Sequence, residues 1–155
     1  MTGRKGGSSH RLSSDAPHSV QFFQRHRADD PARSAPGYEF IEACPDKVGD
    51  KMLAVLKAVA EAPPKRFAGG GYWEAMHDLM TGWHEVRVDG GKPRRHYRLF
   101  CLLDTEAQGA DRPALVVVTG MSKALRTTFT ESDYSGVRNL GDEYRRRNPR
   151  CWLAA

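Results

Sequence analysis

The chain has 155 residues, and its 24 lysines and arginines against 19 aspartates and glutamates give a formal net charge of +5. This length is typical of one domain, and a hydrophobic content of 39% is enough for a single core. The positive charge favours a nucleic acid or an acidic protein as partner over an acidic small molecule. No segment has the length and apolar content of a membrane span, and Met1 to Pro17 lacks the apolar core of a secretory signal, so we expect a cytoplasmic protein without a membrane partner.

The cysteines and the short motifs indicate no metal and no cofactor. Cys44, Cys101 and Cys151 are far apart and form no CxxC pair, which argues against a zinc site and against a disulfide framework. The glycine run at 69–71 is not followed by Lys-Ser or Lys-Thr and is therefore not a phosphate-binding loop. The sequence has no carboxylate pair with a shared context, so metal-dependent nuclease chemistry is not supported.

The first half of the chain reads as an arm, a strand and two helices. Residues 1–18 have almost no apolar content and are predicted to form a disordered basic arm. An apolar cluster predicts a strand over Ser19 to Arg25, and Tyr38 to Ala43 follows as a short helical turn. A longer amphipathic helix is predicted to begin at Pro45 and to end before Pro63, because proline suits the first helical turn and ends a helix.

The second half reads as strands followed by a helix. We expect one or two helical turns over Trp73 to Met80, and then two strands within Trp83 to Asp104. The β-branched run Leu115 to Thr119 predicts a buried strand. Thr130 to Asp133 resembles a capping box, and the helix that it opens is predicted to stop at Asn148-Pro149.

This element order predicts an α+β fold. Neighbouring strands with short connections favour a small antiparallel sheet of about four strands, packed by the N-terminal helices and a C-terminal helix. The domain is predicted to cover residues 19–147, with residues 148–155 as a C-terminal extension.

The most informative feature of the sequence is the basic hairpin within Trp83 to Asp104. Its cations have few carboxylates nearby, namely Glu85 and Asp89. A hairpin that places unpaired arginines on its strands is suited to hold an anion, and on this basic chain an RNA phosphate is the anion that we expect. The cations of the hairpin are Arg87, Arg94, Arg95 and Arg98.

The register of the hairpin decides whether two of these cations meet. If the turn is Gly91 to Arg94, Arg87 lies directly opposite Arg98, and such a like-charge pair is destabilising by about 0.2–1 kcal/mol. A fold that keeps the pair is expected to hold something negative between the two side chains, either Glu85 or a bound phosphate. A slip of one residue would instead place Arg87 opposite Tyr97, and the like-charge pair would not form.

A further cationic segment, Gly120 to Arg126, is predicted to follow the last strand. Residues at strand ends are common binding groups, and Lys123 and Arg126 could close over a phosphate held by Arg87 and Arg98. An exposed loop lysine without a function is the alternative for Lys123.

RNA can be cleaved without a metal when its own 2′-OH attacks the neighbouring phosphate. The protein then positions the backbone, neutralises the developing charge and moves two protons. His96 is the first candidate for proton transfer because it lies two residues from Arg98 on the same strand face. Tyr134 and His84 are weaker candidates, and Tyr134 begins an apolar stripe that is typical of a core position.

The motifs in this order resemble the RelE/ParE superfamily of bacterial toxins, in particular its HigB-like, phage-associated branch. The resemblance covers about residues 19–147. It is carried by Val20-Gln-Phe-Phe23, Phe40 to Val48, Trp83 to Arg87, Tyr97 to Phe100, Val117 to Lys123 and Asp142 to Tyr144.

The resemblance implies a RelE-like fold and a toxin of a type II toxin–antitoxin pair. The RelE and HigB branches cleave mRNA in the ribosomal A site, whereas the ParE branch inhibits DNA gyrase, and a cognate antitoxin, often a helix-turn-helix protein, silences the toxin. By resemblance, Arg87, Arg98 and Lys123 match basic positions of the family. Many relatives have two adjacent lysines after the last strand, where this chain has Lys123-Ala124.

We therefore expect a ribosome-dependent, metal-independent endoribonuclease whose partners are mRNA, the ribosome and a helix-turn-helix antitoxin. A non-catalytic inhibitor of gyrase and an inactive RNA-binding module remain the alternatives. The expected catalytic residues are Arg87, Arg98, Lys123 and His96, and the expected RNA-binding residues are Arg94, Arg95, Arg126 and Tyr134.

Overall fold

The structure is a computed structural model that describes residues 15–62 and 71–154. Most of the predicted arm over residues 1–18 lies outside the described residues, and so do Gly69 and Gly70 of the glycine run. The elements follow the chain in the order β1 (Ser19–Phe22), α1 (Pro36–Ala43), α2 (Asp46–Glu61), β2 (Trp73–Ala75), a 3-10 helix (Asp78–Met80), β3 (Trp83–Gly90), β4 (Arg95–Asp104), β5 (Ala114–Ala124) and α3 (Glu131–Arg145).

The predicted α+β class is confirmed, but the expected number and direction of the strands are wrong. The described residues form one five-stranded sheet in the order β1-β5-β4-β3-β2, and β1 runs parallel to β5 while the other pairs are antiparallel. The parallel pair arises because α1 and α2 cross over between β1 and the hairpin strands, and parallel neighbours require such a crossover.

The additional strand is β2, in a segment that was predicted to be helical. The Trp73 side chain is 7% exposed and belongs to the core under α2, and the strand pairs with β3 so that Trp73 lies opposite Val86. Backbone pairing along the open edge of β3 and burial of the Trp73 indole therefore outweigh the local helical pattern of the sequence. Within the segment predicted as helical, only Asp78–Met80 forms a helix, and it is a short 3-10 helix.

Alternating strand side chains build one core on each face of the sheet. Helices α1 and α2 pack on one face, where Val86, Leu99 and Val117 are fully buried. Helix α3 packs on the other face, over Trp83 and Phe100. The polar side chains of this second face continue along the hairpin beyond the apolar core.

Strand β5 is longer than predicted. It contains the expected run Leu115 to Thr119 but continues to Ala124, because β4 is long enough to pair with it as far as Arg95. The placement of Gly120 to Arg126 in a loop is therefore wrong for its first five residues. As a consequence Lys123 is a strand residue and lies directly opposite His96.

The end of the chain packs against the domain through a buried polar cluster. Trp152 forms a bridge with Phe23 beside β1, and the Trp152 indole donates a hydrogen bond of 2.9 Å to the Tyr144 hydroxyl. That hydroxyl donates to Asp104 at 2.7 Å, and Arg150 Nε lies 2.9 Å from the same carboxylate oxygen. Residues 148–154 are thus continuous with the core.

Candidate active site

The hairpin register is the predicted one. Arg87 lies directly opposite Arg98, and Gly90 lies opposite Arg95. Both members of the first pair are on the sheet face that α3 covers, just beyond the apolar core. The like-charge pair on which the phosphate hypothesis depends therefore exists.

Each arginine of the pair has a carboxylate partner, so the premise that these cations are unpaired is wrong. Arg98 Nη1 donates to Asp89 Oδ1 at 3.0 Å and to the carbonyl oxygen of Tyr97 at 3.0 Å, while Arg87 Nε lies 3.5 Å from Glu85 Oε1. Both carboxylates are two residues from Arg87 on β3, and strand alternation therefore places them on the same face. The Arg98 side chain is 8% exposed and the Arg87 side chain 45%. Arg98 is therefore held within the sheet face, whereas Arg87 extends into solvent.

Two open clefts meet at the Arg87 side chain. The first, of about 460 Å³, lies between the β2–β3 edge and the start of α3, and Glu85 and Tyr134 line it. The second, of about 360 Å³, is lined by Arg87 together with Arg94 and Arg98. The structure thus brings three of the predicted cations to one cleft.

The structure also brings together two carboxylates for which the sequence showed no shared context. Glu74 of β2 lies directly opposite Glu85 of β3, and both line the first cleft. Burial raises the pKa of Glu85; the charges of Arg87 and Arg98 act against this, and the Glu74 charge adds to it. Sequence reasoning missed the pair because a segment predicted as helical gives Glu74 no cross-strand neighbour.

Tyr134 combines the two roles that its position suggested. Its ring packs edge-on against Phe100 at 6.1 Å between centroids, which is core packing. Burial raises the Tyr134 pKa, the Glu85 charge adds to this, and the charges of Arg98 and Arg87 act against it. The hydroxyl therefore stays protonated and can donate a hydrogen bond in the first cleft, which Tyr134 lines.

Neither of the two histidines considered for proton transfer lines a cleft, but His96 is bonded to Asp89, which lines the second cleft. His96 Nδ1 is 2.9 Å from Asp89 Oδ1, the same oxygen that accepts from Arg98, and His96 lines neither cleft. Although burial alone would raise it, hydrogen bonds from His96 and Arg98 lower the pKa of Asp89. His84 is on the opposite sheet face and stacks on Trp73 at 4.8 Å, and burial lowers its pKa.

The remaining predicted cations surround the clefts without lining them. Lys123 Nζ lies 2.7 Å from Asp133 Oδ2, and Asp133 also closes the predicted capping box of α3 with Thr130. Arg95 Nε donates to Ser122 Oγ at 2.8 Å, and Arg126 is an exposed turn residue with a φ of 67°. Lys123 lies on the same sheet face as the arginine pair, whereas strand alternation places Arg95 on the opposite face.

The described residues provide donors and acceptors for a phosphate, but no group of three or more His, Cys, Asp or Glu side chains placed to hold a metal ion. None of the helices in the described part of the chain combines the length and apolar content that a membrane crossing needs. Comparisons of the chain with protein-family models, with curated proteins and with solved structures found no match.

Proposed function

We propose that this protein is a metal-independent endoribonuclease that cleaves mRNA on the ribosome, and that it is the toxin of a toxin–antitoxin pair. One observation carries the proposal: Arg87 and Arg98 lie directly opposite each other and line one open cleft together with Arg94. Three guanidinium groups around one cleft match the charge and the hydrogen-bonding geometry of an RNA phosphate.

The arginine pair supplies charge stabilisation. Both hydrogen bonds that Arg98 donates within the described part of the chain come from Nη1, which leaves Nε and Nη2 for an incoming phosphate. Because Asp89 and the Tyr97 carbonyl hold the guanidinium in place, little reorganisation is needed when negative charge develops on the phosphate. The exposed Arg87 side chain closes on the phosphate from the other strand.

Neighbouring groups support RNA as the substrate. Tyr134 lines the neighbouring cleft, and its protonated hydroxyl can donate a hydrogen bond to RNA bound there. Lys123 lies on the same face and end of the sheet as the arginine pair, and the exposed Arg126 follows β5 at that end, where the flanking RNA backbone would run. The resemblance of the motifs to HigB-like toxins makes the RNA an mRNA on the ribosome, and makes a helix-turn-helix antitoxin the expected partner in the cytoplasm.

Expression followed by primer extension on translated mRNA tests the proposal. Wild type should arrest growth and produce cuts inside codons, and Arg87→Ala and Arg98→Ala should each lower cleavage about 100-fold, the usual cost of one lost donor to transition-state charge. Arg27→Ala is the matched control, since Arg27 is an exposed arginine that lines neither cleft. The Arg87 variant matters most, because an exposed side chain can be removed without disturbing the core.

Three results would refute the proposal. Growth arrest with intact mRNA and blocked DNA supercoiling would identify an inhibitor of gyrase. Binding to ribosomes without any cleavage would identify an inactive RNA-binding module. Full cleavage by the Arg87 and Arg98 variants would show that RNA is cut elsewhere on the protein.

A further inference from the structure

Glu85 is a largely buried acid at the wall of the first cleft. Its side chain is 14% exposed, it is near the start of β3, and it shares the cleft with Tyr134 and Arg87. The neighbouring cleft with the arginine pair begins at the same Arg87 side chain. An RNA phosphate held between Arg87 and Arg98 would therefore lie next to the cleft that Glu85 lines.

The ion pair with Arg87 gives Glu85 a structural role, but its position is unfavourable for a charged group. Glu74 lies directly opposite, and like charges in that position destabilise a sheet. The ion pair with Arg87, at 3.5 Å, would favour the carboxylate, yet the net effect of the surroundings raises the pKa of Glu85. Arg87 is too exposed to offset the free energy of burying the Glu85 charge. An uncharged residue at this position would therefore destabilise the fold less than Glu85 does.

We infer that Glu85 is the general base of the proposed cleavage and takes the proton from the attacking 2′-OH of the RNA. This role rests on the proposed function and adds to it the group that starts the reaction. A carboxylate with a raised pKa is a stronger base than an ordinary glutamate, as general-base catalysis requires.

The step balances without a metal or a co-reactant. Glu85 removes the 2′-OH proton as the 2′-oxygen forms its bond to phosphorus, and the bond from phosphorus to the 5′-oxygen of the next nucleotide breaks. The departing 5′-oxygen takes a proton from water, and Glu85 returns its own proton to water. The products are a 2′,3′-cyclic phosphate and a 5′-hydroxyl end.

His96 and Tyr134 are less suited to this role than Glu85. His96 is engaged with Asp89 and lines neither cleft, and the raised pKa of Tyr134 keeps its hydroxyl protonated. The charged and titratable groups that surround Glu85, besides Arg87 on its own strand, are Glu74, His77, Asp78, Arg98, Glu131 and Tyr134.

The test is cleavage by Glu85→Gln on ribosomes programmed with a defined mRNA, measured across pH. We expect at least a 100-fold loss of rate, within the usual contribution of a general base. The wild-type rate should fall at low pH as Glu85 is protonated, and the residual rate of the variant should lack that fall. Glu106→Gln makes the same chemical change at an exposed position away from the clefts and should leave the rate and its pH profile unchanged.

Two further measurements separate catalysis from binding and from folding. An mRNA with a single 2′-deoxyribose at the cleavage position cannot react, and Glu85→Gln should co-sediment with ribosomes carrying it as well as wild type does. Burial is the main cause of the raised Glu85 pKa and the Glu74 charge adds to it, so Glu74→Gln removes this added part and should move the low-pH fall of the rate to lower pH. A residue with a structural role only would produce no such shift.

The outcomes distinguish the two proposals. If wild type cleaves mRNA and Glu85→Gln cleaves within threefold of it, the general-base role is overturned and the proposed function stands. Loss of ribosome binding by Glu85→Gln, or an unmoved pH profile in Glu74→Gln, also overturns the role. If wild type leaves mRNA intact, the proposed function itself is overturned.

Discussion

Replacing Gly141 by alanine tests how α3 sits on the sheet. Gly141 is buried in the last half of the helix, and a Cβ added to it would lie 2.4 Å from Cζ2 and 2.7 Å from Cη2 of the Trp83 indole. Gly136 is on the same helix, but it is exposed and a Cβ there would meet no atom within 4 Å. The two glycines therefore form a matched pair.

The magnitude follows from two opposing effects. Alanine is favoured over glycine in a helix by about 1 kcal/mol, and this gain applies at both positions. Only Gly141→Ala forces the helix or the indole to move, and such overpacking costs about 1–3 kcal/mol. The propensity terms cancel in the difference, so the free energy of unfolding of Gly136→Ala should exceed that of Gly141→Ala by about 1–3 kcal/mol.

Urea denaturation followed by circular dichroism measures this difference. Gly136→Ala should unfold at a higher urea concentration than wild type, and Gly141→Ala at a lower concentration than Gly136→Ala with an unchanged slope. Because α3 also carries Tyr134 to the cleft, Gly141→Ala should slow mRNA cleavage while Gly136→Ala does not. Equal stability of the two variants would refute the close contact between α3 and Trp83 and the helix position built on it.

Three further predictions concern stability. Burial raises the pKa of Glu85, so the stability that its protonated side chain contributes is present at low pH and is lost as the pH rises through the raised pKa. Glu85→Gln should therefore be more stable than wild type at pH 8, and this difference should vanish below the usual glutamate pKa of 4.5. A variant that is less stable than wild type at pH 8 would contradict the claim that burying the charged Glu85 destabilises the fold. Arg150→Ala leaves the buried Asp104 carboxylate without its cation and should lower the free energy of unfolding by about 3 kcal/mol in urea, whereas a change below 1 kcal/mol would show that water replaces the arginine. Thr130→Ala removes the side-chain cap of α3 and should cost about 1 kcal/mol in thermal unfolding, and no shift would mean that Asp133 alone caps the helix.

The helices and the hairpin register were determined by local features of the sequence. The apolar period after Pro45 and the capping box at Thr130 act within one or two helical turns, and both correctly indicated a helix and its start to within a residue. The turn Gly91 to Arg94 joins strands with alternating side chains, and a slip of one residue would have moved every side chain to the wrong face. The opposition of Arg87 and Arg98 was therefore present in the sequence.

The carboxylate partners of these arginines could not be assigned from the sequence, because they depend on the positions of side chains that share one sheet face. Glu85 and Asp89 were visible two residues on either side of Arg87. However, the Glu85–Arg87 ion pair depends on side-chain reach along β3, and the Asp89–Arg98 hydrogen bond on reach across the strands. The sequence-based choice of His96 for proton transfer used proximity along one strand, and the structure instead shows His96 bonded to Asp89. Distance along a strand does not determine which cleft a side chain lines.

The carboxylate pair was decided by tertiary structure alone. Glu74 and Glu85 meet because Trp73–Ala75 pairs with β3, and that pairing depends on burying the Trp73 indole under α2, far away in the sequence. Helix periods, caps and tight turns are set by neighbours in the chain, so the sequence by itself specified them. Edge-strand pairing, the parallel β1–β5 contact and the acid environment of Glu85 arise from non-local burial and charge, which only the folded chain brings together.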